Sequence, residues 1–180
     1  ILSCSAWQQQ EHVSYCFYGS KRTMMLEIFN NSNSPFYRFG QVIFMNKIAK
    51  EDWIPFITSS FEKTGKECST EYASRICDIV ECHSWYLQQL CYFIWSYTEG
   101  EVNEESFNRG LKQTLNINTP MFQNDTENLS LSQIEMLKAI SKGETKLSSE
   151  DVKRRYSLGN PNTITKNKLA LVRRDILDND

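Results

Sequence analysis

The spacing of apolar positions changes several times along the chain, and each change predicts an element. Residues 12–20, HVSYCFYGS, are dense in aromatic side chains and end in Gly-Ser, the pattern of a buried strand feeding a turn. In residues 21–29, KRTMMLEIF, Met24, Met25, Ile28 and Phe29 fall at helical intervals. NNSNSP then reads as a loop, and residues 41–48, QVIFMNKI, as a second short strand. Two strands joined through a helix lie parallel in one sheet.

From Lys50 onward the period is helical. Trp53, Phe56, Ile57 and Phe61 share a face, Pro55 is accommodated if it falls in the first turn, and Gly65 is a stop signal. A second helix fits residues 69–81, with Ser69 as cap and Ala73, Ile76, Cys77 and Val80 facing inward. A third fits 84–97. Leu87, Leu90, Cys91, Ile94 and Trp95 make one stripe there and Tyr86, Phe93 and Tyr97 another, which predicts a central, buried helix. A fourth starts at Asn103 as cap, with Val102 and Phe107 set for a hydrophobic staple and Leu111 and Leu115 extending the face.

The polar stretch 116–128 is the best linker candidate. Three short helices follow in 130–143, 148–159 and 160–178, the last opening with Asn160 as cap and Pro161 at its first position. Its ending, DILD, reads as the start of a β-hairpin, so this part is expected to be a winged helix-turn-helix. The expected fold is mainly α with a small parallel β part. Residues 1–49 are an α/β piece, 50–118 a helical bundle, 119–130 a linker and 131–180 the winged helix.

An apolar fraction of 40%, with 12% aromatics over 180 residues, supports a buried core. A formal charge of -2 confines any nucleic-acid binding to a local patch. No apolar run reaches the ~18 residues of a membrane span, and the first residues show no leader, so no membrane partner and a cytoplasmic location are expected. The six cysteines form no C-x-x-C pair and read as reduced core thiols. The chain opens in mid-pattern without Met, as a fragment of something larger would.

Residues 13–53, beginning VSYCFYGSKRTMMLEIFNN, then IVECHSWYLQQL (79–90), then the terminal helices, resemble the archaeal-type ATPase family within the P-loop AAA+ and STAND nucleoside triphosphatases. The resemblance implies the end of a P-loop α/β sheet, a helical lid bundle and a C-terminal winged helix. It also implies ATP or ADP with Mg as the ligands of the full-length parent. Neither a Walker A loop, G-x-x-x-x-G-K-[ST], nor a Walker B strand ending in carboxylates occurs here. The chain alone is therefore expected to be inactive, its partner being the N-terminal nucleotide-binding half of the parent.

Cys82 beside His83 suggests a thiol and its base, but neighbouring side chains diverge and no orienting third group is evident. Zinc spacing is lacking as well, so no metal site is expected. The family resemblance supplies another role. Cys82-His83-Ser84-Trp85-Tyr86-Leu87-Gln88 stands where the family has Gly-His-Pro-x-Tyr-x-Gln, which would set His83, Ser84 and Tyr86 on the nucleoside side of a nucleotide site. By the same resemblance Ser20 ends the sensor-1 strand and would touch the γ-phosphate, although a serine there serves equally as a helix cap. Arg38 would be an arginine finger or simply an exposed loop cation. The basic run from Lys153 to Arg174 offers an alternative function, a DNA-binding regulator in which Asn162, Thr165, Lys166 and Lys168 meet DNA, or else a protein-docking surface.

Overall fold

The computed structural model describes residues 12–19, 22–174 and 176–177, and these are mainly helical. Eight helices occur among them: α1 (Arg22–Asn30), α2 (Lys50–Glu62), α3 (Thr70–Ile79), α4 (Ser84–Tyr97), α5 (Glu104–Glu127), α6 (Leu131–Ser141), α7 (Glu150–Tyr156) and α8 (Pro161–Arg173). The chain divides into two compact units, one of residues 44–124 and the other of the remaining residues.

The strands expected at 12–20 and 41–48 are not formed among the described residues: 13–19 and 41–49 carry no regular element. The β pairing that does occur is an isolated parallel bridge, Glu67 with Glu101, where Glu67 N–H donates to the Gly100 carbonyl at 2.8 Å and Val102 N–H to the Glu67 carbonyl at 2.9 Å. A strand is stable only when a neighbour completes its ladder, and composition cannot supply that neighbour. Their side chains are correspondingly open, with Tyr18 and Met45 each 94% exposed. Around α1, Phe29, Phe36 and Phe39 cluster, Phe29 to Phe36 at 6.1 Å and Phe36 to Phe39 at 5.8 Å between ring centroids.

The 44–124 unit has one core. Trp53, Ile57 and Phe61 of α2, Ala73, Ile76 and Cys77 of α3, Leu87, Leu90 and Ile94 of α4, and Val102 and Phe107 bury together. Each large aliphatic or aromatic side chain among them contributes ~1.5–3 kcal/mol. Pro55 is the sixth residue of α2, in its second turn rather than the first, and it is exposed, so a carbonyl freed by the missing N–H can be hydrated. Helix α4 is buried along its Leu87–Leu90–Ile94 stripe but exposes Trp85 and Tyr92, so it is not enclosed all round.

Two of the expected caps are formed here. Ser69 Oγ accepts from Tyr72 N–H at 3.4 Å. Asn103 Oδ1 accepts from Ser106 N–H at 3.0 Å while Ser106 Oγ accepts from Asn103 N–H at 3.1 Å, and Val102 and Phe107 are both buried beside this cap. Helix α5 then continues through Pro120 to Glu127, so most of the stretch read as a linker, 119–130, is helical. Its polarity belongs to a solvated helix face, and Thr119 Oγ1 donates back to the Leu115 carbonyl at 2.7 Å.

In the other unit, Leu129, Met136, Ala139, Val152, Leu158, Ile164 and Leu171 form the core, and α6 packs on both α7 and α8. A capping box starts α6: Ser130 Oγ accepts from Gln133 N–H, and Gln133 Oε1 accepts from Ser130 N–H at 2.9 Å. Between α7 and α8 the chain turns over four residues, with Ser157 and Gly159 at positive φ and Leu158 buried between them. Asn160 Oδ1 accepts from Thr163 N–H at 2.9 Å, and Pro161 takes the first position of α8. Most of the expected hairpin after α8 falls on residues 175 and 178–180, outside the described residues.

Candidate functional site

The α3–α4 turn is built from backbone first. Past the end of α3, Glu81 and Cys82 adopt the left-handed region at φ 47° and 55°. This lets Cys82 N–H donate to the Cys77 carbonyl at 3.0 Å and His83 N–H to the Val80 carbonyl at 2.9 Å. Left-handed backbone strains any residue with a Cβ, by ~1–2 kcal/mol. Two consecutive non-glycine residues in that region reverse the chain tightly, so that α4 starts at once. Its cap is His83, without a side-chain capping bond, and not Ser84, which is the first helical residue.

Freed from capping, the His83 ring lies against Tyr86, one turn on, at 4.8 Å between centroids, and Tyr86 lies against Phe122 of α5 at 5.9 Å. These three rings line a pocket of about 350 Å³. Val80, Leu90 and Leu111 give it an apolar base, Lys47 and Glu81 put one charge of each sign in its lining, and Thr114 and Asn118 are its buried polar groups. Thr114 Oγ1 donates to the Gly110 carbonyl at 2.9 Å, and Asn118 Nδ2 donates to the Thr114 carbonyl at 2.7 Å and to Gln89 Oε1. The three rings touch one another, so a planar ring would lie against the face they present to the pocket, with a few fixed polar groups at its edge.

Burial acts against thiol chemistry in this neighbourhood. It pushes the Cys77 thiol up to about 11, with the Cys82 thiol adding to the effect, and pushes Cys68 to about 11 and Cys91 to about 12. A neutral thiol is a poor nucleophile and a poor metal ligand. The His83 ring has no hydrogen-bond partner among the described residues, so nothing there orients it as a base for Cys82. No group of three or more His, Cys, Asp or Glu that could hold a metal ion occurs among the described residues.

The expected site residues separate into groups. His83 and Tyr86 line one pocket, while Ser84 is not in its lining. Ser20 lies outside the described residues. Arg38 sits in a turn at φ 54°, its N–H donating to the Phe29 carbonyl at 3.0 Å and its guanidinium 5.2 Å from the Tyr37 ring centroid. Asn162, Thr165, Lys166 and Lys168 are exposed on α8, and Thr165 and Lys168 line a groove of about 620 Å³ with residues 145–149. Three cations of the basic run are tied up internally. Lys153 pairs with Glu150 at 2.5 Å, Arg155 with Glu144 at 2.7 Å, and Arg174 donates to the Asn128 carbonyl at 3.0 Å.

Sequence reasoning missed Thr114, Asn118 and Phe122. The signal was present: Leu111, Leu115, Asn118 and Phe122 continue the helical spacing of the α5 face beyond the point where polarity suggested a linker. No protein-family model, no curated protein and no solved structure matches the chain.

Proposed function

We propose that the chain is the C-terminal part of an ATP-binding P-loop ATPase, in which residues 44–124 act as a lid whose pocket at His83 and Tyr86 receives the nucleoside part of the nucleotide. The observation that carries this reading is the convergence of His83, Tyr86 and Phe122 on one pocket with buried amide and hydroxyl groups in its wall. An aromatic wall of this kind holds a nucleobase by stacking on one of its faces. The phosphate-binding loop and the carboxylates for Mg belong to the N-terminal half of the parent, and lid closure over it couples nucleotide state to domain movement. The exposed apolar segments 12–19 and 41–48 fit the reading as edge pieces of a parallel sheet completed by that half, in a cytoplasmic enzyme, with a winged helix at the end of the chain.

The test uses the ¹⁵N-labelled chain titrated with millimolar adenosine. Shifts should concentrate at residues 80–90 and 111–122, and Tyr86→Leu should abolish them while the far-UV spectrum is retained. Shifts scattered over the surface, or untouched by Tyr86→Leu, would remove the pocket from the proposal.

A second reading is favoured by a separate observation. The short α7, a four-residue turn and α8 follow one another as in a helix-turn-helix, and Lys166 and Lys168 are exposed with no ion pair among the described residues. A DNA-binding regulator would bind duplex DNA in a salt-dependent manner and lose this on replacing both lysines. Absence of binding at low salt would eliminate it.

A further inference from the structure

We infer that Asn118 determines the specificity of the His83–Tyr86 pocket by offering a hydrogen-bond acceptor that reads the exocyclic amine of an adenine ring; the inference rests on the nucleoside reading of that pocket. Asn118 is 6% exposed and stands in the pocket wall. Which of its amide atoms faces which neighbour is decided by chemistry. The Thr114 carbonyl, 2.7 Å away, can only accept, so the atom facing it is Nδ2. The second Nδ2 hydrogen goes to Gln89 Oε1. Both donors are thereby spent, and Oδ1 has no hydrogen-bond partner among the described residues.

The other buried polar side chain of the wall is biased the same way. Thr114 Oγ1 gives its proton to the Gly110 carbonyl at 2.9 Å and keeps only lone pairs for a ligand. These two buried side chains therefore present acceptors and no donor, and the other side-chain N–H groups of the lining belong to Lys47 and His83. A ring laid against Tyr86 from the pocket side satisfies these acceptors by bringing an N–H to them. The 6-amino group of adenine does this; a hydrogen at that position leaves Oδ1 unpaired, and a carbonyl oxygen sets two acceptors against each other.

The experiment compares the affinities of the intact chain for adenosine, purine riboside, which has hydrogen in place of the 6-amino group, and inosine, which has oxygen there. Adenosine should bind about tenfold more tightly than purine riboside, the weight of one well-made hydrogen bond, and inosine should bind no better than purine riboside. Asn118→Leu, close to isosteric, should bring adenosine down to the purine riboside level while leaving purine riboside unchanged. Equal binding of adenosine and purine riboside by the unaltered chain would overturn the role of Asn118 while the pocket remained a nucleoside site. Failure of all three nucleosides to bind would overturn the pocket reading and this inference together. The comparison on the unaltered chain decides the question even if Asn118→Leu does not fold.

Discussion

Gly110 of α5 lies directly against Ile94 of α4: a Cβ placed on Gly110 would stand 2.6 Å from Ile94 Cγ1 and 2.7 Å from the Ile94 backbone nitrogen. The two helices that hold opposite walls of the pocket meet here backbone to side-chain root, an approach only glycine permits.

Replacing Gly110 with Ala therefore tests how α4 and α5 are held. In an exposed helix the change would stabilise by up to ~1 kcal/mol. Here the added methyl meets backbone atoms that no rotamer change can clear, so the helices must separate, and the net result is a loss of about 2 kcal/mol. Urea denaturation followed by tryptophan fluorescence measures it, and a stability equal to or above that of the unaltered chain would contradict the close approach.

Strain at the α3–α4 turn has the opposite sign. Glu81 is exposed at φ 47°, so Glu81→Gly should raise stability by about 1 kcal/mol, seen as a higher denaturation midpoint. Cys82→Gly should gain less, because Cys82 also packs on the core and that packing would be lost.

From neutral pH upward, stability should hold to about 9 and fall above it. The thiols of Cys68 and Cys77 are raised to about 11 and that of Cys91 to about 12, from an ordinary 9.0, chiefly by burial. A thiol whose pKa is raised on folding holds its proton more tightly in the native state. Its contribution is complete below 9 and disappears as the pH climbs through 11 and 12. Urea midpoints between pH 7 and 11 report the decline, and Cys77→Ala should make it shallower. A midpoint rising over that range would contradict the burial of these groups.

At the acid end the Arg75–Glu104 pair sets the trend. Its hydrogen bond to Arg75 holds the Glu104 carboxyl below the usual carboxylate range. A lowered carboxyl contributes above its unfolded pKa, and the contribution is lost as the pH falls through the folded value. Glu104→Gln should flatten the acid limb of the stability curve, which thermal melts from pH 7 to pH 3 would show.

Much of the helical order was legible because its causes are local. Ser69, Asn103 and Asn160 cap as expected, since a capping side chain reaches an N–H only two or three residues ahead. Ser84 was misplaced by one residue because the cap position depends on how tightly the preceding turn closes, and that turn closes through two left-handed residues. Of the pocket lining, His83 and Tyr86 are residues the sequence had singled out, whereas Asn118 and Phe122 were not, because a polar stretch containing a proline resembles a linker until a packed helix carries it.

By itself the sequence determined the starts of most helices, the caps at Ser69, Asn103 and Asn160 and much of the buried faces, because period and capping are properties of neighbouring residues. The tertiary structure alone decided the rest. Whether 12–19 and 41–48 become strands depends on a partner ladder, whether Pro120 interrupts α5 depends on what supports that helix, and whether Asn118 is a solvated amide or the acceptor in a pocket wall depends on Gln89, a residue 29 positions away. These are long-range contacts, and no spacing along a single chain encodes them.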